Sequence, residues 1–204
     1  MLNIALRMGG ALLATASLTS CQDPTAWRDV LPFNWYETTS TAMEPTLTNG
    51  SKFMAHSIAI DEVQRGDVLM VTTKNGDEYV KRLIGLPGDT VELRAGALFL
   101  NGEQADQTVV SDFSYRDSTT DITIDAYRIR EQLPGSNRTH FILDERETPH
   151  DDYGPITLPN DRYFFLGDNR DNSADSRAQG DHFGLGIVTG SQITRKVDLT
   201  SIEQ

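Results

Sequence analysis

One cysteine, Cys21, stands alone among 204 residues, so the chain forms no internal disulfide and no cysteine-based zinc cluster. Histidine is nearly as sparse. His56, His140, His150 and His182 are scattered without ligand spacing, and neither a metal centre nor a cofactor is expected from them. Basic residues are outnumbered 18 to 30 by acidic ones, and the net charge of −12 argues against nucleic acid or an anionic membrane surface as the main partner. Long apolar runs are missing as well. The stretch Met8 to Leu18 would span only ~17 Å as a helix against a hydrocarbon core of roughly 30 Å, too short for an ordinary transmembrane anchor. Internal repeats and low-complexity runs are absent too.

What is present begins with an export-type segment, residues 1–21: a short basic n-region ending in Arg7, the apolar stretch, then Leu18-Thr19-Ser20-Cys21. That ending looks like a bacterial lipobox, in which Cys21 is acylated; the alternative is a short signal anchor with an incidental cysteine. Residues 22–39 hold Pro24, Pro32, Trp27, Phe33, Trp35 and Tyr36 without a helical period. They read as a linker, whose aromatic residues suit either a bilayer interface or the first layer of a core.

Beyond the linker, short apolar runs and period-two patterns are broken by Gly, Pro and Asn, which predicts strands rather than helices. Strands are expected at 52–60, 67–73, 78–86, 90–93, 97–100, 127–131, 139–143 and 163–166, with turns at 74–77, 95–96 and 101–102 closing hairpins. The predicted fold is mainly β: an antiparallel sheet core formed by residues 40–102 and 161–204. The polar segment 103–160, punctuated by Pro and Gly, reads as an inserted smaller lobe. The tripeptide Arg65-Gly66-Asp67 is expected to be a structural turn opening a strand.

The least ordinary stretch is Gly167 to Arg177, GDNRDNSADSR, which follows the apolar run Tyr163 to Leu166. Its acid and arginine pairs suit a rigid, internally bonded loop delivered by a strand. Calcium is a competing reading of Asp168, Asp171 and Asp175, but the spacing fails an EF-hand: counting from Asp168, Arg170 falls third and Ser173 sixth.

Two further stretches precede this loop: TAMEPTL, Thr41 to Leu47, and YVKRLIGLPGD, Tyr79 to Asp89. In this order the three resemble the signature boxes of bacterial type I signal peptidases, and RGDVLMV, Arg65 to Val71, resembles a fourth. The resemblance implies a serine endopeptidase that removes N-terminal signal peptides from exported preproteins with a Ser/Lys dyad. By it, position 42 is the nucleophile, Lys81 the general base, Ser40 an oxyanion donor beside the residue 42 N–H, and Ser173 the group that orients Lys81. Arg82, Asp175 and Arg177 become a salt-bridged support, and Tyr36, Thr38, Met43, Leu47, Tyr79 and Val80 line shallow pockets for the small residues before the cut. Such a protein is expected as a monomer at the outer face of the cytoplasmic membrane, held by a lipid or a short anchor.

A lysine acts as base only when neutral, so burial must bring its pKa from about 10.4 towards 7 to 8. The departure from the family is Ala42, where a serine is implied: a methyl group has no lone pair to attack a carbonyl. The chain is therefore expected to be an inactive form of a signal peptidase, or a non-catalytic relative that binds signal peptides or precursors. A self-cleaving repressor with a similar dyad is disfavoured, because the chain has no DNA-binding helical region and carries an export-type segment.

Overall fold

The computed structural model describes residues 33–73, 75–145, 148–149, 151–178 and 184–203. Residues 1–32 lie outside the described residues, and with them the export-type segment, Cys21 and most of the expected linker; His150 and His182 do too. Residues 32–204 form one compact unit.

The site rests on a six-stranded antiparallel sheet of β1 (Phe33–Glu37), β2 (Lys52–Ser57), β13 (Ile193–Glu203), β3 (Val68–Thr72), β4 (Glu78–Gly85) and β12 (Phe164–Leu166), in that spatial order. Strand β1 falls inside the segment read as a linker. It pairs with β2, and Tyr36 stacks on Phe53 with ring centres 5.8 Å apart. The aromatic end of that segment is thus divided: Tyr36 packs inward, while Phe33 and Trp35, on alternate positions, are each 51% exposed.

A second sheet contains β11 (Tyr153–Thr157), β5 (Thr90–Arg94), β6 (Ala97–Leu100) and β7 (Glu103–Gln104). Its tight turns are the expected ones. Ala95-Gly96 and Asn101-Gly102 all have positive φ, the conformation that a two-residue hairpin of matching twist requires. The third sheet, of β10 (Thr139–Asp144), β9 (Thr123–Gln132) and β8 (Asp106–Arg116), lies within the segment read as an inserted lobe. The lobe is shorter than the segment 103–160: β7 and β11, at its two ends, pair with core strands β6 and β5.

Four buried apolar clusters occur among the described residues, and three of them lie against the first and second sheets. One packs Ile84, Val91, Leu98, Leu133 and Phe164 between the first and second sheets. Another packs Leu69, Leu83, Phe165 and Val188. The third contains Met43, Leu47, Phe53, Met70 and Val197, with Tyr36 and Val80 at its margin. Arg65-Gly66-Asp67 is the turn it was expected to be: Arg65 donates to the Ile84 carbonyl at 2.6 Å, Asp67 accepts from the Gln64 N–H at 2.9 Å, and Gly66 has φ +86°. Among the described residues no helix is long and apolar enough to cross a membrane.

Candidate active site

Adjacent residues of a strand face opposite ways, and β4 is covered on both faces. Lys81 and Arg82 are consequently both buried, at 3% exposure each. Burial lowers the Lys81 pKa from its ordinary 10.5 to about 8; the negative charges of Asp175 and Asp168 oppose that shift and Arg177 adds to it. A substantial fraction of Lys81 is therefore neutral near pH 8, the state a general base needs. Its ammonium nitrogen lies 5.7 Å from the centre of the Tyr79 ring.

Arg82 does different work. Its Nε and Nη2 grip the two oxygens of Asp168 at 2.7 and 2.6 Å, and its Nη1 donates to the Gly66 carbonyl at 2.8 Å. Thr46, in the turn beyond position 42, donates to the same carboxylate at 2.5 Å. Burial pushes the Asp168 carboxyl up, but the Arg82 charge and hydrogen bonds, with His140 and Thr46, together hold the group below the usual carboxylate range. The expected support is thus two separate ion pairs. Arg82 pairs with Asp168 rather than with Asp175, while Asp175 is gripped by Arg177 Nε and Nη2 at 3.0 and 2.8 Å and also accepts the Gly167 N–H at 3.1 Å. Asp171 accepts from the Glu145 N–H and the Thr148 hydroxyl. The three carboxylates of the calcium reading are therefore spoken for separately, and no metal-holding group of His, Cys, Asp and Glu occurs among the described residues.

The turn carrying position 42 is fastened to the 167–177 loop. Asn169 donates its backbone N–H to the Ala42 carbonyl and its side-chain amide to the Thr41 carbonyl, each at 3.2 Å. Gly167 sits so close that a methyl group there would overlap Ser173 and the Ala42 carbonyl oxygen. Ser173 is accordingly beside position 42. The expected bond from Ser173 to Lys81 is not formed: Ser173 Oγ is buried and makes no hydrogen bond among the described residues. Ser40 Oγ accepts the Ala42 N–H at 3.1 Å. The two expected oxyanion donors are therefore engaged with each other in the free site, and an incoming carbonyl oxygen must take that N–H from Ser40.

Position 42, Ser40 and Lys81 open onto a cleft of about 450 Å³. Tyr36, Thr38, Met43, Tyr79 and Val80 line it as expected, together with Ser40, Ala42 and Lys81, and Phe53 and Met70 extend its apolar lining. Leu47 does not; it is fully buried in the cluster beneath. The cleft is thus the open margin of a core cluster: Tyr36, Met43, Phe53, Met70 and Val80 give it an apolar side, and Glu37, Thr38, Ser40, Glu78, Lys81 and Asn172 give it a polar one.

The sequence matches the family described as "Signal peptidase, peptidase S26" over residues 25–202. The chain belongs to the signal peptidase family. Signal peptidase I S of Bacillus subtilis strain 168 is 34% identical over 162 residues, 78% of this chain and 71% of that protein. Signal peptidase I of Bacillus amyloliquefaciens is 32% identical over 160 residues, 78% of this chain and 70% of that one. A solved signal peptidase I from Enterococcus faecalis shares 31% identity, covering 66% of this chain and 96% of its own, at a TM-score of 0.36, a superposition too loose for comparing site geometry. The signal peptidase match spans every segment of the cleft. Asn172, which lines the cleft, and Gly167 and Asn169, which fasten the loop to the turn at position 42, carry no individual mark in the sequence, although all three lie in the stretch Gly167 to Arg177. Thr119 lines the cleft from the inserted lobe; nothing in the run Asp117-Ser118-Thr119-Thr120 marks it.

Proposed function

We propose that this chain is a signal peptidase I whose cleft binds signal peptides in extended form and whose catalytic site lacks its nucleophile. The observation that carries this reading is a buried Lys81, with its pKa brought to about 8, lining the same cleft as a methyl group at position 42, where the family resemblance implies a hydroxyl. In acyl transfer a hydroxyl oxygen attacks the scissile carbonyl carbon, its proton passes to the neutral lysine, and the lysine returns a proton to the departing amine. Ala42 supplies neither the oxygen nor the proton. Oxyanion donors contribute about 2.7 to 4 kcal/mol each to the transition state, and both remain here. Small side chains before the cut rest on Met43, Phe53, Met70 and Val80, which need no nucleophile to bind them. The unmodified chain therefore holds signal peptides without cutting them, and with serine at position 42 it becomes an endopeptidase.

Titration with a fluorescent synthetic signal peptide ending in Ala-X-Ala before the cut tests the reading. Saturable binding, an intact peptide afterwards, and loss of binding in Val80→Trp, which fills the cleft, are expected. Absence of saturable binding, or binding indifferent to Val80→Trp, contradicts it. The location that goes with this function is the outer face of the cytoplasmic membrane, with the chain a monomer held through Cys21 or a short anchor. A palmitate analogue should label the chain and fail to label Cys21→Ser; equal labelling of both excludes the lipid anchor.

A further inference from the structure

The turn between β8 and β9 reaches from the inserted lobe to the cleft, and its Asp117 is buried at 5% exposure. One oxygen of Asp117 closes the turn, accepting from the Thr120 N–H and hydroxyl at 2.7 Å each and from the Thr119 N–H at 3.2 Å. The other faces the site. It accepts from the Asn172 side-chain amide at 2.6 Å and from the Thr41 hydroxyl at 3.5 Å. Asn172 Nδ2 also lies 3.2 Å from Thr41 Oγ1 and 3.2 Å from Tyr115 Oη. An amide nitrogen has two hydrogens for these three acceptors, and the carboxylate holds the shortest contact. The Thr120 hydroxyl and then Asn172 lower the Asp117 pKa to about 2.

Thr41 is 1% exposed; its hydroxyl meets Asn172 and Asp117, and its carbonyl accepts from the Asn169 side-chain amide at 3.2 Å and from the Glu44 N–H at 3.1 Å. That carbonyl and the Ala42 N–H belong to one planar peptide unit. Fixing Thr41 therefore fixes the direction of the N–H meant for the oxyanion. Attachment of the lobe does not need this contact. The buried bidentate pair of Glu131 with Arg170, and the bonds between Leu143 and residues 168 and 170, already dock it.

We propose that the inserted lobe is part of the catalytic machinery: Asp117 positions the peptide unit at 41–42 through Asn172 and Thr41, and Thr119 forms the wall met by the residue after the cut. The proposal rests on the cleft being a peptide site. The apolar lining comes from β1 to β4, whereas Thr119, Asn172 and Ala174 line the cleft from the lobe and the loop. A peptide seated on the apolar lining passes position 42 and leaves along that second group.

The experiment uses the full chain with Ala42→Ser. Adding Asp117→Ala should lower kcat tenfold or more, in line with the steep cost of misplacement, leave KM within twofold, and leave the pH midpoint set by Lys81 unchanged. Asp117→Asn, which keeps an oxygen for Asn172, should recover part of the loss. Thr119→Trp should raise KM at least fivefold for substrates with a large residue after the cut and spare those with a small one. Unchanged kcat in Asp117→Ala, or a loss shared equally by KM, overturns the positioning role; uniform KM in Thr119→Trp overturns the wall. Amide hydrogen exchange of the unmodified protein separates this from failure of the functional reading. Asp117→Ala should speed exchange at Ala42 and Glu44 at least tenfold while strands β5 and β6 stay protected, whether or not any variant cleaves, and unchanged exchange there contradicts the proposal.

Discussion

Lys81 and Arg82 show how far a single residue can be read without its surroundings. Lys81 was legible because its setting in the Lys-Arg stretch resembles a family motif, and its burial on a covered strand supplies the shift that motif implies. The partner of Arg82 was not legible, because the choice between Asp168 and Asp175 is made by the path of a loop 86 positions away. Leu47 misled for a related reason: an apolar residue near a cleft either lines it or lies beneath it, and only packing decides. The Lys81 pKa of about 8 lies below its ordinary 10.5, so between those values the unfolded chain binds more protons and stability rises with pH. The unfolding free energy of the native chain minus that of Lys81→Met should therefore increase by roughly 3 kcal/mol from pH 7 to 10.5. A flat difference would mean that Lys81 is solvated. Asp168→Asn leaves the Arg82 guanidinium buried without its counter-charge, and should cost roughly 3–5 kcal/mol in urea unfolding. A cost below about 1 kcal/mol would show that water replaces the carboxylate.

Elements were legible where burial alternates with the pleat. The strands around 52, 68, 78, 90 and 97 fall where the apolar pattern put them, because one or both faces are covered. The strand β13 was missed although it lies at the centre of the main sheet, between β2 and β3. Its inward positions are Ile193, Arg195 and Val197, and the arginine interrupts the apolar alternation that would have marked it. The strand β8 was missed for the opposite reason: most of its residues are exposed, so its order comes from pairing with β9 rather than from an apolar face. The 167–177 loop was legible as a site but not as a mechanical part. Its rigidity depends on Gly167, where any side chain would strike Ser173 and the Ala42 carbonyl. Gly167→Ala, placed with Ala42→Ser, should lower kcat a hundredfold or more, while circular dichroism still reports the native sheet content. Full activity would show that the loop yields without cost and that its close approach is incidental.

At the scale of the whole molecule, the order of the motifs announced the family, and the match over residues 25–202 bears that out. The boundary of the inserted lobe was harder to read, since β7 and β11 lie in the polar segment yet complete a core sheet. The lobe's contribution to the cleft could not be read at all, because Asp117 meets Thr41 and Asn172 across 76 and 55 positions of sequence. The net charge of −12 argues against phosphate-rich partners, which an acidic surface repels. In the proposed reading, a hydroxyl at position 42 is enough to turn this cleft into a working peptidase. Incubating a detergent-solubilised preprotein with the chain as it stands, with Ala42→Ser, and with Ala42→Ser plus Lys81→Met tests that claim most directly. The account predicts no cleavage by the first, cleavage after a small residue by the second with kcat/KM rising about tenfold per pH unit to a plateau above pH ~8, and none by the third. An inert Ala42→Ser protein, on a preprotein that an active signal peptidase cleaves in the same tube, would contradict it.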